Sequence, residues 1–187
     1  RDAFDVSARI RFGELPVTYV PGDFWQGLRR LTRYRYRLSK ALSQEKMRFQ
    51  SYAFLKASDW KRVKPFSDVL GATSAALLTE FTVAELQDMT HDQLVDLITR
   101  RGRGRFTDPT ATARDVRQAL RTSYPIDPRM DQMVTDSLAA MWDHIRYLDR
   151  SMKRLDKTIA RYIDPIPNPI ITIKGLGAVI TAGILAE

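Results

Sequence analysis

The pattern that most constrains the fold of this chain is an unbroken run of heptads in its second half. Apolar or aromatic residues recur there on alternating steps of four and three, at Val134, Leu138, Met141, Ile145, Leu148, Met152, Leu155, Ile159 and Tyr162. This spacing places one apolar stripe along a helix and is typical of a coiled coil. The pattern predicts a long helix that begins after Asp127-Pro128 and ends at Asp164-Pro165.

A second apolar stripe predicts another long helix over residues 24–56, with Asp23 as its N-terminal cap. Its members are Phe24, Leu28, Leu31, Leu38, Leu42, Phe49 and Tyr52, and charged residues fill the two remaining positions, Arg35 and Glu45. A charged side chain is costly to bury without a partner, so we expect Arg35 and Glu45 to be paired or to lie at a rim.

The two stripes fit an antiparallel pair, either within the chain or between two chains. We favour the pairing between chains, which makes the second stripe a dimer seam. That seam consists of Val134, Leu138, Met141, Ile145, Leu148, Met152, Leu155 and Ile159.

Start and stop signals predict shorter helices elsewhere. Thr82 with Glu85 and Thr90 with Gln93 form capping boxes, and Asp108-Pro109 is a further helix start. The other predicted elements are a short helix over residues 2–12 closed by Gly13, an extended piece at 17–20, and helices over 67–80, 91–102 and 109–124. The fold class is therefore mainly α, with long antiparallel helices that carry a coiled-coil seam. The predicted segments are residues 1–22, 23–164 and 165–187.

The C-terminal residues predict a helix-hairpin-helix element. An apolar run reaches Lys174, turns at Gly175 and Gly177, and restarts as an apolar helix over residues 178–187. Glycines tolerate positive φ and close backbone approach, and the N–H groups that begin the second helix favour an anion such as a phosphate. The alternative is a glycine-rich turn between two core helices.

Charge indicates a polyanionic partner. The 187 residues contain 30 Lys and Arg against 22 Asp and Glu, a formal net charge of +8. The first long helix concentrates this excess, and its candidate nucleic-acid contacts are Arg29, Arg30, Arg33, Tyr34, Arg37, Lys40 and Arg48. Like charges on a helix repel one another, and an external polyanion would relieve this repulsion. The tyrosines between the arginines could stack on unpaired bases. The loop with Arg101, Arg103 and Arg105 is a second candidate. A cationic surface that only keeps the protein soluble is the alternative.

Several classes of site are excluded or weakly supported. The chain has no cysteine, so disulfides and thiolate chemistry are absent, and its two histidines lie far apart. We expect no transmembrane span, no membrane partner and a cytoplasmic location. Asp2 and Asp5 share one face of the first helix and could bind Mg²⁺, although acidic residues are common in first helical turns.

Both ends of the chain resemble a known family. The opening Arg-Asp-Ala-Phe-Asp-Val-Ser-Ala and the segment from Leu15 to Pro21 are similar to the end of the RuvC-like domain of the DEDD transposases of bacterial insertion sequences, the IS-one-ten type. The basic run from Leu28 to Leu38 resembles the helix that follows there. The closing residues 173–187 resemble the start of the family's second domain, with Lys174 in place of the usual proline.

The resemblance implies a part of a recombinase that cuts and rejoins DNA. Such enzymes hold Mg²⁺ on four acidic residues, use a serine nucleophile in the second domain, and in some members choose DNA with a structured guide RNA. Asp2 matches the last of the four acids and would be the catalytic residue here, while Asp5 matches nothing in the motif. The remaining acids and the serine would lie outside this chain, so we expect both ends to be cuts in a longer protein and the active site to be incomplete.

The sequence therefore predicts part of a DNA transposase that binds DNA and a structured RNA and forms a homo-oligomer. Two alternatives stay open. One is a non-enzymatic helical scaffold, and the other is a repair or Holliday-junction protein that uses the same hairpin element.

Overall fold

The protein is mainly α-helical in the computed structural model, which describes residues 2–13 and 21–187. The helices are α1 (Asp2–Arg11), α2 (Asp23–Lys56), α3 (Trp60–Val63), α4 (Ala72–Glu80), α5 (Val83–Asp88), α6 (His91–Gly102), α7 (Pro109–Thr122), α8 (Pro128–Ile163) and α9 (Ala178–Ala186). One 3-10 turn, Ile170–Thr172, precedes α9. The predicted extended piece at 17–20 lies outside the described residues.

The predicted helix starts at Thr82, Thr90 and Asp108 are confirmed, whereas Asp23 is itself the first residue of α2 and Gly22 stands at the cap position predicted for it. Both capping boxes form, because the Thr82 and Thr90 hydroxyls accept from the backbone N–H three residues on and the partner side chain accepts in return. Asp108 caps α7 by accepting from the N–H of Ala111 at 2.8 Å. The helix predicted over 67–80 is wrong at its start, since α4 begins only at Ala72. The Asp68 side chain there accepts from the N–H of Leu70 at 2.9 Å and forms a turn instead.

The helices divide into two compact units. One falls within residues 1–34 and 158–187, and the other comprises residues 35–157. Both divisions lie inside the long helices α2 and α8.

In the larger unit, α2 and α8 run antiparallel against each other. The rings of Phe49 and Trp142 lie 5.8 Å apart, and the Lys56 ammonium reaches Thr135 further along the pair. The core also includes α4, α6 and α7, with Leu77, Leu94 and Leu138 fully buried. The smaller unit has its own core of Leu28, Ile159, Ile163, Ala182 and Ala186.

The residues of the predicted dimer seam pack within the chain. Val134, Leu138, Ile145 and Leu148 are buried in the core of the larger unit, with Met141 and Met152 packed against it, and Ile159 is buried in the smaller unit. Leu155 is half-buried. The pairing favoured from the sequence is thus corrected to the other alternative, because the stripe of α2 in the same chain covers that of α8. Two stripes tethered in one chain meet at a high effective concentration, which favours this outcome.

The two charged positions of the first stripe are partnered, as predicted. The Arg35 guanidinium donates to both carboxylate oxygens of Asp156, at 2.8 and 3.2 Å. These hydrogen bonds raise the pKa of Arg35 above its ordinary value. Glu45 is buried, accepts from Arg48 at 3.2 Å, and lies 3.7 Å from the His144 ring nitrogen.

Candidate nucleic-acid interface

The outward face of α2 carries a row of cations. Since α2 is one continuous helix of 34 residues, Arg30, Arg33, Arg37 and Lys40 fall on one face at steps of three, four and three. All four residues are exposed. Within the described ranges, Arg30 and Arg37 have no carboxylate partner, so their charge is available to an external anion.

Three of the predicted contacts are engaged inside the chain. Arg29 is half-buried and donates to the backbone carbonyls of Ala186 and Glu187, at 2.5 and 2.6 Å. Arg33 donates through two nitrogens to the Glu187 carboxylate, both at 2.7 Å. Arg48 is the partner of Glu45. For these three positions the repulsion expected from the sequence is relieved internally.

The Arg33–Glu187 pair is reflected in both pKa values. Hydrogen bonding to Arg33 lowers the pKa of the Glu187 carboxyl, and the same contact raises the pKa of Arg33. Both side chains are more than half exposed, so the pair contributes little to stability and a phosphate could displace the carboxylate.

The two tyrosines of this helix are exposed. Tyr34 keeps 54% of its surface and Tyr36 keeps 59%. The Lys40 ammonium lies 4.9 Å from the centre of the Tyr36 ring, a cation–π distance. Tyr34 therefore presents the freer ring for stacking beside the cationic row.

The second predicted basic site forms one wall of a groove in the larger unit. Arg100 and Arg101 lie in the last turn of α6, where Arg100 pairs with Asp96 at 2.7 Å and Arg101 pairs with Glu80. Arg103 and Arg105 follow in the connection to α7, and both are exposed. The groove also contains Arg146 and Trp142 of α8, which the sequence reasoning missed.

A signal for these two residues existed in the sequence. Trp142 and Arg146 are four residues apart on a predicted helix, and therefore share a face one turn apart. Their meeting with the loop at Arg103 depends on how α6 and α8 pack, which local pattern does not contain.

The backbone of the basic loop turns through two left-handed residues. Arg103 and Gly104 both have positive φ, of 50° and 71°. A side chain at Gly102 would overlap the ring of Phe106, which packs edge-on against Phe66 at 5.6 Å. The contact between Phe66 and Phe106 thus anchors the end of this loop to the core, and the loop arginines project from its turn.

The C-terminal hairpin is confirmed in its turn and in its second helix. Gly175 has φ +95°, and the Ile173 carbonyl accepts from the N–H of Leu176 at 3.0 Å, as in a type II turn. Gly177 differs from the prediction, since its φ of −74° is open to any residue. The first helix of the hairpin is only the 3-10 turn. Lys174 is exposed at the tip.

The candidate metal ligands have no support from geometry. Asp5 is exposed on α1, and the side chain of Asp2 lies outside what the structure describes. Among the described residues, no three acidic or histidine side chains converge as a metal site.

A buried lysine was not predicted. The Lys56 side chain has no exposed surface, and its ammonium donates to the carbonyls of Leu78 (2.9 Å) and Phe81 and to the Thr135 hydroxyl (2.6 Å). Burial lowers the pKa of Lys56 to about 8, although the Asp131 carboxylate at 3.8 Å opposes that shift. This cluster joins the ends of α2 and α4 to α8 and lies away from the cationic row.

No protein-family profile, curated protein or solved structure matches this chain. Over the described residues, no helix combines the length and the apolar character needed to cross a membrane.

Proposed function

We propose that this chain is a nucleic-acid-binding helical part of a DNA transposase or recombinase of an insertion sequence. The observation that carries the binding is the outward row Arg30, Arg37 and Lys40 on α2, which is exposed and has no carboxylate partner among the described side chains. The assignment to a transposase rests on the resemblance of the two ends of the chain.

The dimensions of the row suit a sugar–phosphate backbone. Arg30 and Lys40 are ten residues apart, which is about 15 Å along a helix. One strand of duplex DNA presents about four phosphates over that distance along its axis. The row is therefore long enough to lie along several phosphates of one strand.

The hairpin and the second basic site extend this proposal. Lys174 and the turn at Gly175 are exposed in the smaller unit, and Arg101, Arg103 and Arg105 lie in the larger one. DNA is the proposed partner of the α2 row, with a structured guide RNA as a second ligand.

DNA cleavage is proposed only for the complete enzyme. The side chain of Asp2 lies outside what the structure describes, so we assign no step of DNA cleavage to Asp2 or Asp5, and Mg²⁺ stays a proposed cofactor of the complete enzyme. A homo-oligomer is part of the proposal, but its interface would use surfaces other than the seam, which α2 covers.

The test is a charge reversal with a matched control. The variant R30E/R37E/K40E should weaken binding to a 20-base-pair duplex by at least about tenfold at 0.1 M salt and reduce the salt slope by about 0.9 per lost contact. The control R114E/R121E/R129E makes the same change of charge at exposed arginines of α7 and α8. Equal effects of the two triple variants would show that only net charge matters and would refute a defined interface.

A helical scaffold is the second candidate. It is favoured by the internal engagement of Arg29, Arg33 and Arg48, which leaves fewer cations for a ligand than the sequence predicted. A wild-type chain that binds neither duplex nor single strand at 0.1 M salt would favour the scaffold.

A further inference from the structure

We propose that the groove between α4, the α6–α7 connection and α8 binds an unpaired nucleotide of a DNA or RNA strand. This inference rests on the proposed function and deepens it, because it assigns a second site with a different ligand geometry. The whole groove lies within residues 35–157 and therefore within one compact unit.

The groove has the volume and the shape for such a ligand. It encloses about 890 Å³ and is open along one side. Sites of roughly 300–1,000 Å³ hold ligands of nucleotide size. Its walls come from the start of α4, the loop at Arg103 and the face of α8 that carries Ala139, Trp142 and Arg146.

Its charge is suited to a phosphate. Five arginines line the groove, against three carboxylates. Glu80 is occupied by Arg101, and Arg100 is paired with Asp96. Arg103, Arg105 and Arg146 remain exposed, and none of them has a carboxylate partner in the described part of the chain. These three guanidiniums can each donate to phosphate oxygens in a bidentate manner.

An aromatic surface lies beside these cations. Trp142 is half-buried. Its ring packs against Phe49 on the core side, and another side of it lines the groove. Phe106, also half-buried, lines the same groove. Every base has a π-face, so a base of any identity can stack on an aromatic ring. The packing on Phe49 and Phe66 holds both rings in place before a ligand arrives.

The spacing of the two kinds of group matches one nucleotide. Trp142 and Arg146 lie one helical turn apart on α8, with about 5–6 Å between their β-carbons. A base on the indole therefore places its own phosphate within reach of the Arg146 guanidinium. The Asp143 carboxylate lines the same groove and can accept from an N–H group on the Watson–Crick edge of a base.

The ligand must be unpaired. In a duplex the base faces are covered by their neighbours, so none can lie against an indole unless it leaves the stack. A concave site with a ring at its wall thus selects a single strand, a loop or a flipped nucleotide over a continuous duplex. The cationic row on α2 does not require an unpaired base, so the two sites differ in the ligand they prefer.

The experiment uses the 187-residue chain with four probes: ten-nucleotide oligo(dT), ten-nucleotide oligo(U), a 20-base-pair duplex and inorganic polyphosphate. The variant R103A/R105A/R146A should weaken oligonucleotide binding by about tenfold or more and lower the salt slope by about 0.7 per lost contact. It should affect the duplex no more than the control R114A/R121A/R129A does. The two oligonucleotides separate a DNA from an RNA preference.

Tryptophan fluorescence reports the stacking. Oligonucleotide binding should quench the fluorescence of the wild-type chain. The variant W142F, which keeps a ring against Phe49, should lose the part of the quenching that is due to Trp142. Polyphosphate should compete for the arginines without quenching. Equal affinities of the groove variant and its control for the oligonucleotides, or a quench unchanged in W142F, would overturn the inference.

The result also separates this inference from the proposed function. If R30E/R37E/K40E loses duplex binding while the groove variant matches its control, only the groove is refuted. If the wild-type chain binds none of the nucleic acids, both proposals fail.

Discussion

Replacing the buried Lys56 tests whether its cluster holds the larger unit together. In K56M the ammonium disappears, the carbonyls of Leu78 and Phe81 lose a donor, and the buried Asp131 carboxylate keeps, among the described residues, the hydrogen bond from the N–H of Val83 at 2.6 Å. The carbonyls of Leu78 and Phe81 and the Thr135 hydroxyl then stay buried without that donor, and each unsatisfied buried acceptor costs about 1–3 kcal/mol. Because the desolvation cost of the ammonium disappears with it and offsets part of this loss, we expect K56M to lose about 1–3 kcal/mol of free energy of unfolding at pH 7.

A second change identifies the source of the loss. In K56M/D131N the asparagine side chain at position 131 is neutral, and its carbonyl oxygen can still accept a hydrogen bond from the N–H of Val83. The double variant should therefore be more stable than K56M by about 1–3 kcal/mol. Urea unfolding followed by circular dichroism at 222 nm gives these values, and K157M, at an exposed lysine of α8, is the control. Stability of K56M within about 0.5 kcal/mol of the wild type would contradict the reasoning.

The pH dependence is an independent check on the same residue. The pKa of Lys56 falls from 10.5 in the unfolded chain to about 8 in the folded one, mainly because of burial. Between these values the unfolded chain binds a proton that the folded chain lacks, so the stability rises with pH. The rise amounts to about 3 kcal/mol over that window. The wild type should show this rise in stability and K56M should not. Parallel curves of stability against pH for the two proteins would refute the lowered pKa of Lys56.

Two further predictions follow from packing. G102A should cost about 1–3 kcal/mol, since the added methyl group must displace Phe106, and the melting temperature measures the loss; an unchanged melting temperature would show that the ring moves aside freely. L138D should abolish the cooperative thermal transition of the chain, because it places a charge among the buried residues around Leu138; a variant that melts like the wild type would show that Leu138 does not lie in the core.

Much of the secondary structure could be predicted because its signals are local. A capping box acts over three residues, so Thr82 and Thr90 mark the starts of α5 and α6 without knowledge of the fold. The same holds for the apolar periods of α2 and α8. The start of α4 was missed because the Asp68 turn competes with the helix over the same few residues.

The candidate site was only partly predictable. The sequence identified the cationic face of α2 and the arginine loop, since both are runs of one residue type. It could not assign Trp142 and Arg146 to the groove, nor foresee that Glu187 pairs with Arg33, 154 residues away along the chain. Such contacts depend on which surfaces meet after the helices pack.

The amino-acid order alone determined a mainly helical chain with two long apolar stripes and a surplus of cations. Only the tertiary structure decided that the two stripes cover each other, which arginines are engaged by acids, and where a buried ammonium is placed. Periodicity and capping are interactions of near neighbours and can be read from the order of residues. Partners distant in sequence are chosen by packing and charge in three dimensions, which no local pattern records.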